Sequence, residues 1–333
     1  MDGRGFEVAP GIHRIEATVG ERVVACHLVV GDDDVLLVDT GIDGTPRSAI
    51  APYLASLGLA PERIGWVVLT HGDVEHMGGA ASLRELSPAA RFVAHAEDVE
   101  LVEDVDRIIA ERYSELAEDH GIDADPTRAA WCREAGRPVP VDLIVDGGEI
   151  LRLGADRFVE LVHTPGHSWG SLSVWVPWAR AAIVGDAVLG AGFPDVEGRP
   201  LVPPGYRHVT PYLATIADLE SLRPELLLTG HVPVLRHGEV AAFLMLSRTF
   251  AQAVEAAVIA RLRAATRPLS TRALVERVAP ELGSWPAPEW PYLAGGIVGH
   301  LEELAEAGRV RGTRRRDRTV AWRYVGPSEP ATS

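Results

Sequence analysis

The 333-residue chain contains no lysine; all 32 of its basic residues are arginine. Schiff-base and pyridoxal chemistry need a lysine amine, and a P-loop needs one on its phosphates, so these are excluded. Cysteine is nearly absent as well. Cys26 and Cys132 are too few for a cysteine-rich zinc module and a poor basis for a disulfide framework. No apolar run approaches the roughly 18–20 residues that span a bilayer. The N-terminal stretch MDGRGFEVAPGIHRIEA lacks the basic-then-apolar pattern of a secretory signal. A cytoplasmic protein with no membrane partner is expected. No G-x-G-x-x-G follows a strand, so a Rossmann cofactor is not expected, and neither is Ser/His/Asp catalysis.

What is present is the balance of a folded, soluble protein: 47% hydrophobic and 24% charged residues, too apolar for a disordered chain. The length suits about two domains. A net charge of −15 argues against nucleic acid as the main partner. The charge is uneven, however. Residues 309–323 hold seven arginines (Arg309, Arg311, Arg314, Arg315, Arg316, Arg318 and Arg323) against Asp317 alone. This stretch reads as a solvated hairpin or as a contact surface for an anion.

The first half alternates short apolar strands, such as RVVACHLVV, DVLLVD and WVVLT, with helical stretches. Residues 97–136 break that rhythm. EDVELVEDVDRIIAERYSELAEDHG has the spacing of one acidic amphipathic helix, and TRAAWCREAG of a second, so an insertion that covers a site is expected. Strand signals return in DLIVDGG, EILRLG, RFVELVHTPG, SLSVWVP and RAAIVGDAV, whose short turns predict antiparallel ladders. Beyond about residue 240 the order becomes helix, helix, helix, hairpin. That is the order of a winged helix, so the domains are expected at 1–240 and 241–333.

Five segments place a chemical side chain just past a predicted strand. They are VDTG (Asp39), THGDVEHMGG (His71, Asp73, Glu75, His76), HTPGHSWGS (His163, His167), VGDA (Asp186) and LLTGH (His231). Strand ends are where α/β sheets gather a site. Four ligand-type residues within six positions, His71 to His76, point to metal binding.

This ordered set resembles the metallo-β-lactamase superfamily of binuclear metallohydrolases, over about residues 8–240. The resemblance implies an α+β fold, an αββα sandwich of two β-sheets with helices outside, followed by the winged-helix-like C-terminal α/β domain. It implies two divalent metal ions. His71, Asp73 and His163 would hold one; Glu75, His76 and His231 the other; Asp186 would bridge them. Asp39 would orient ligands from outside, and His167 would play a similar supporting part. Ser168 and Trp169 would lie at the mouth, with Trp169, Tyr206 and His208 as substrate contacts. Asp73 and Glu75 replace the His and Asp of the commonest H-x-H-x-D-H pattern. That makes the first site harder, so iron or manganese gains on zinc.

The implied chemistry is attack by a metal-bridging hydroxide on an ester, thioester or lactone, with Asp186, Glu75, Asp39 and His167 as the catalytic set. The substrate is expected to be a small acyl or lactone compound, possibly carrier-bound through the Arg-rich hairpin. Two alternatives remain: an endoribonuclease of the same superfamily, and a di-iron oxygen-handling protein. A homodimer is expected.

Overall fold

The computed structural model describes residues 3–123 and 126–326. Seven strands form the first sheet in chain order: β1 (Arg4–Ala9), β2 (Ile12–Val19), β3 (Arg22–Val30), β4 (Val35–Val38), β5 (Ile64–Val68), β6 (Arg91–His95) and β7 (Leu143–Val145). β1 to β4 run antiparallel, and β4 to β7 are parallel. The second sheet starts with β8 (Ile150–Arg152), β9 (Phe158–His163), β10 (Leu172–Val176) and β11 (Ala181–Gly185), all antiparallel. After a two-stranded arm, β12 (Phe193–Pro194) and β13 (Pro200–Val202), it is completed by β14 (Leu226–Thr229) and β15 (Leu235–Arg236). DLIVDGG was expected in the antiparallel ladders. Instead its strand, β7, pairs parallel with β6 in the other sheet, because apolar runs specify strands but not partners.

The apolar runs are continuous because both faces of the central strands are buried. In β4, Leu36 and Val38 point between the sheets, where they meet Leu161, Val174, Ile183 and Leu228. The alternate residues Val35 and Leu37 face outward, against α1 (Ala51–Ser56), α2 (Val74–Met77) and α3 (Ala80–Leu86). The sandwich is therefore αββα, as expected.

The insertion is not one long helix. It breaks into α4 (Val99–Glu103), α5 (Val105–Arg107), a π-helical turn at Ile108–Tyr113, α6 (Ala117–His120) and α7 (Pro126–Ala135). Asp104 stops the first piece: its backbone is extended and its carboxylate accepts from Asp106 N–H. The wide π turn buries Ile108 and Ile109 in the core and swings Arg112 and Tyr113 toward the strand ends.

On the second sheet, Ala182, Val184 and Leu227 pack under α8 (Val209–Leu222) and α9 (Gly238–Ala264). His208 holds the N-cap position of α8 without a side-chain hydrogen bond to the helix. By length and composition α9 could cross a membrane, but one face of it, from Val240 to Leu262, lies in this core. The chain ends with β16 (Leu269–Ser270), α10 (Thr271–Leu282), α11 (Ala294–Glu306), and a hairpin of β17 (Val310–Arg314) and β18 (Val320–Tyr324). The three strands pair in the order β16-β18-β17. This C-terminal unit shares its core with α8 and the second sheet.

Its hairpin does not stand free in solvent. Arg314 pairs with Asp119 at 2.7 Å, and Arg318 with Glu118, both on α6. Arg272 donates to the Gly121 carbonyl, and His120 contacts Thr271 Oγ1 at 2.7 Å. The C-terminal unit thus holds the insertion down over the strand ends.

Candidate metal centre

The loop after β5 and the short α2 carry His71, Asp73, Glu75 and His76. They bring these groups to the strand ends next to Asp186, which follows β11, and His231, which follows β14. Asp39 organises the group from beneath. Its Oδ1 accepts from Thr70 N–H at 2.8 Å, and its Oδ2 accepts from Thr70 Oγ1 at 2.9 Å and His76 Nδ1 at 2.8 Å. Thr70 Oγ1, having donated its proton, accepts from His71 Nδ1 at 2.9 Å. One carboxylate therefore sets the orientation of two imidazoles. Asp39 does so from the left-handed backbone region, φ 62°, which a non-glycine residue adopts at a cost.

Two more histidines are aimed in the same way. His231 Nδ1 donates to the Val23 carbonyl at 2.8 Å, and His167 Nδ1 to the Gly205 carbonyl at 2.7 Å. Four imidazoles thus spend Nδ1 on fixed acceptors and turn Nε2 inward, the arrangement that protein partners impose on metal-binding histidines.

The inward atoms form two clusters that share Asp186: His71, His167 and Asp186, and His76, Asp186 and His231. Within each, the potential ligand atoms lie within 4.8 Å of one another. His76 Nε2 is 3.3 Å from His231 Nε2, and His231 Nε2 is 3.2 Å from Asp186 Oδ2. His71 Nε2, Glu75 Oε2 and Asp186 Oδ1 are buried with no hydrogen-bond partner. Buried lone pairs facing one another repel unless a cation or proton lies between them. The residues present fit divalent metal binding.

The electrostatics agree. Burial opposes charge on His76, yet Asp186 and Asp39 outweigh it and push its pKa up to about 10. Burial likewise opposes ionisation of Asp186, but His231 and His76 hold its carboxyl well below the usual range. The cluster stabilises positive charge between its carboxylates.

His163, expected as a ligand, is not there. Alternation along β9 places it on the face of Leu161, toward the gap between the sheets. There it stacks on His95, with ring centroids 4.0 Å apart, and its Nε2 donates to the Trp169 carbonyl at 2.7 Å. The turn after β9 delivers His167 instead, whose Nε2 lies 3.0 Å from Asp73 Oδ2. His167 thus takes the position expected of His163 and not a supporting one.

Asp73 and Glu75 are brought to the cluster, but each also meets an arginine that the sequence did not point to. Arg112, from the π turn, reaches Asp73 at 3.1 Å and His167 Nε2 at 2.9 Å. Arg22, at the start of β3, pairs with Glu75. Burial would raise the Asp73 carboxyl, but Arg112, His167 and His71 hold it well below the usual range. Nothing local distinguishes Arg112 from the other charges of an acidic helical stretch. Asp98 is a further unforeseen part. Its carboxylate accepts from Gly72 N–H, Gly170 N–H and Ser168 Oγ, tying the two ligand loops together.

The stretch GHSWG, residues 166–170, has the G-x-S-x-G spacing of a serine nucleophile. Ser168, however, is buried, hydrogen-bonded to Asp98 and Ser171, with no histidine on its hydroxyl, and does not lie at the mouth. The expected substrate contacts are also placed differently. Trp169 and His208 stack on each other, centroids 3.9 Å apart, outside the cavity that lies over the clusters. Tyr206 touches that cavity, but its ring stacks on Tyr212 and its hydroxyl meets His300 Nε2 at 3.0 Å, so it is committed to the core.

Gly230 is required by the site. A Cβ there would sit 2.6 Å from His76 Cε1 and 2.7 Å from Asp186 Oδ1. Gly230→Ala is expected to displace both and lower metal occupancy at least about tenfold. Metal analysis of the folded variant checks this, and occupancy equal to the parent's refutes it.

Comparison with known proteins gives the same answer. A family profile described as the metallo-beta-lactamase superfamily matches residues 19–231. The chain is 27% identical over 183 residues to the probable metallo-hydrolase YqgX of Bacillus subtilis (strain 168), covering 54% of this chain and 74% of that one. To the probable metallo-hydrolase YflN of the same organism it is 25% identical over 256 residues, covering 69% and 86%. A metallo-beta-lactamase family protein from Thermus thermophilus superposes with a TM-score of 0.74 at 23% identity, covering 96% of this chain and all of that one. On the matched profile and the clustered ligands, the chain is a metallohydrolase that belongs to the metallo-β-lactamase superfamily.

Proposed function

We propose that this metallohydrolase cleaves a small ester, thioester or lactone. A cavity of about 770 Å³ above the two clusters carries this reading. Its floor includes Asp73, Glu75, His167 and Asp186, and its walls include Leu116, Trp131, Leu189, Phe193 and Leu201. Pockets of this size and apolar lining suit small molecules.

His71, Asp73, His167 and Asp186 would hold one cation, and Glu75, His76, His231 and Asp186 the other. Bound divalent cations supply a water activated at neutral pH and polarise the scissile carbonyl. The chain's own groups do the rest. His231 and His76 hold the Asp186 carboxyl well below the usual range, so it is an anion, fit to hold a cation and to accept a proton. Arg112 and Arg22 bring N–H donors to the cavity floor, where negative charge develops on the carbonyl oxygen. Neither Ser168 nor Cys132 is a ready nucleophile: Ser168 is committed to Asp98, and burial pushes the Cys132 thiol up to about 11.

The donor set of imidazoles and carboxylates suits zinc, iron or manganese. The endoribonuclease reading draws less support, since Arg314 and Arg318 of the hairpin are paired with acidic residues of the chain itself.

The test is metal analysis of purified protein with a panel of nitrophenyl ester, lactone, acyl-CoA and single-stranded RNA. At least one ester-type substrate is expected to turn over, and treatment with a chelator to abolish that turnover. Cleavage of RNA with no ester hydrolysed, or full activity after chelation, rejects the proposal.

A further inference from the structure

Four arginines line the cavity: Arg22, Arg112, Arg128 and Arg207. Three are matched by carboxylates. Arg22 pairs with Glu75, Arg112 with Asp73, and Arg207 with Glu115 and Glu302. Arg128, on α7, differs. Among the described residues no carboxylate lies within ion-pair distance of it. Its guanidinium sits over the rings of Tyr113, 4.3 Å from the centroid, and Tyr292, 4.8 Å from the centroid. One of its terminal nitrogens donates to the Tyr292 hydroxyl. Its Nε is buried and has no partner. Glu289, also in the cavity lining, feels the charges of Arg22 and Arg128, but among the described residues it forms no ion pair with either.

Two aromatic faces hold a guanidinium by cation–π attraction and fix its plane. Its edge is left free. The Nε edge of arginine is a two-pronged donor that matches the oxygens of a carboxylate or phosphate. A guanidinium with a buried, unsatisfied N–H is costly, and an arriving anion relieves that cost. Arg128 is also close enough to the metal centre for its charge to act on the Glu75 carboxyl. An anionic group bound there would belong to the same small molecule whose scissile bond lies over the metals.

We propose that Arg128 anchors an anionic group of the substrate, so that the enzyme acts on acyl compounds whose apolar body carries a carboxylate or phosphate. This rests on the hydrolase reading above. It also assigns the C-terminal unit a part in the site, because Tyr292 supplies one wall of the anchor and Tyr113 of the insertion the other.

The test compares nitrophenyl esters of matched length that end in a carboxylate, a phosphate or a neutral methyl ester. The parent enzyme is expected to favour one anionic ester over the neutral one by about 10- to 100-fold in kcat/KM, the range of a charge-assisted hydrogen bond. Arg128→Gln is expected to abolish that preference, chiefly through KM, and Arg128→Lys to restore part of it, as a point charge without the fork. The carboxylate and phosphate arms identify the anion.

A second measurement needs no turnover. Calorimetric titration of the metal-free protein with adipate, butyl phosphate and neutral adipamide is expected to show binding of an anion, weakened at least about tenfold in Arg128→Gln. If no ester, lactone or acyl-CoA is hydrolysed but the anion binds through Arg128, the proposed substrate class fails and the anchor stands. Equal ester ratios and equal titrations in parent and Arg128→Gln overturn the anchor.

Discussion

Alanine at Asp186 is expected to strip both cations and lower kcat/KM on the order of 10³-fold, leaving the fold intact. Asp186 belongs to both clusters. Asp73 and Glu75 each serve one cluster and face Arg112 and Arg22, and Asp39 points at Thr70 and Nδ1 of His76, so among the described residues none of these three is placed to take over the position that Asp186 shares between the clusters. Removing Asp186 leaves His76 Nε2 and His231 Nε2 opposed at 3.3 Å with no anion between them. Asp186 is also the largest opposing charge that keeps the His76 pKa high, so that pKa falls in the variant. Metal content and steady-state kinetics, with circular dichroism for the fold, decide the matter. A folded Asp186→Ala protein with both metals and parental kcat/KM would falsify the two-cluster centre.

The second large effect separates two histidines four residues apart. His167→Ala is expected to empty the cluster of His71 and cost on the order of 10²- to 10³-fold in kcat/KM. His163→Ala is expected to keep both metals and stay within about threefold of the parent. His167 Nε2 is turned into the site by the bond from Nδ1 to the Gly205 carbonyl, whereas His163 Nε2 is consumed by the Trp169 carbonyl. The two variants are compared by metal analysis and kinetics. The reverse pattern, metal lost from the His163 variant and kept in the His167 variant, would overturn the placement of both side chains.

His163 shows where reading along the chain stops working. It closes a clear strand and opens HTPGH, so by pattern it qualifies as a ligand as well as His167 does. What separates them is the face of β9 on which His163 falls and where the following turn carries His167. That turn is built by Gly166 at φ 139°, where a Cβ would lie 2.5 Å from the Tyr212 backbone. By contrast, Asp39, His71, Asp186 and His231 were legible as candidates, because each lies just past a buried strand, and His76 because it shares the loop and short helix that follow β5. The insertion was legible as an interruption but not as a shape. Its apolar spacing predicts one helix, and only contact with the core and with Asp73 explains the break at Asp104 and the π turn that presents Arg112.

Local pattern was enough to mark the buried strands and the helices between them, since strands buried on both faces are apolar at every position; the αββα sandwich followed from the family resemblance that the ordered motifs carry. That resemblance also pointed to His71, His76, Asp186 and His231, four of the side chains that the structure gathers into the two clusters. Tertiary structure decided which histidine completes the first cluster, which arginines balance Asp73 and Glu75, and which arginine is left without a carboxylate. Those outcomes depend on partners far apart in the chain, such as Arg22 with Glu75 and Arg128 with Tyr292. Charge pairing and burial are set by distance in space, and periodicity along a sequence carries no record of it.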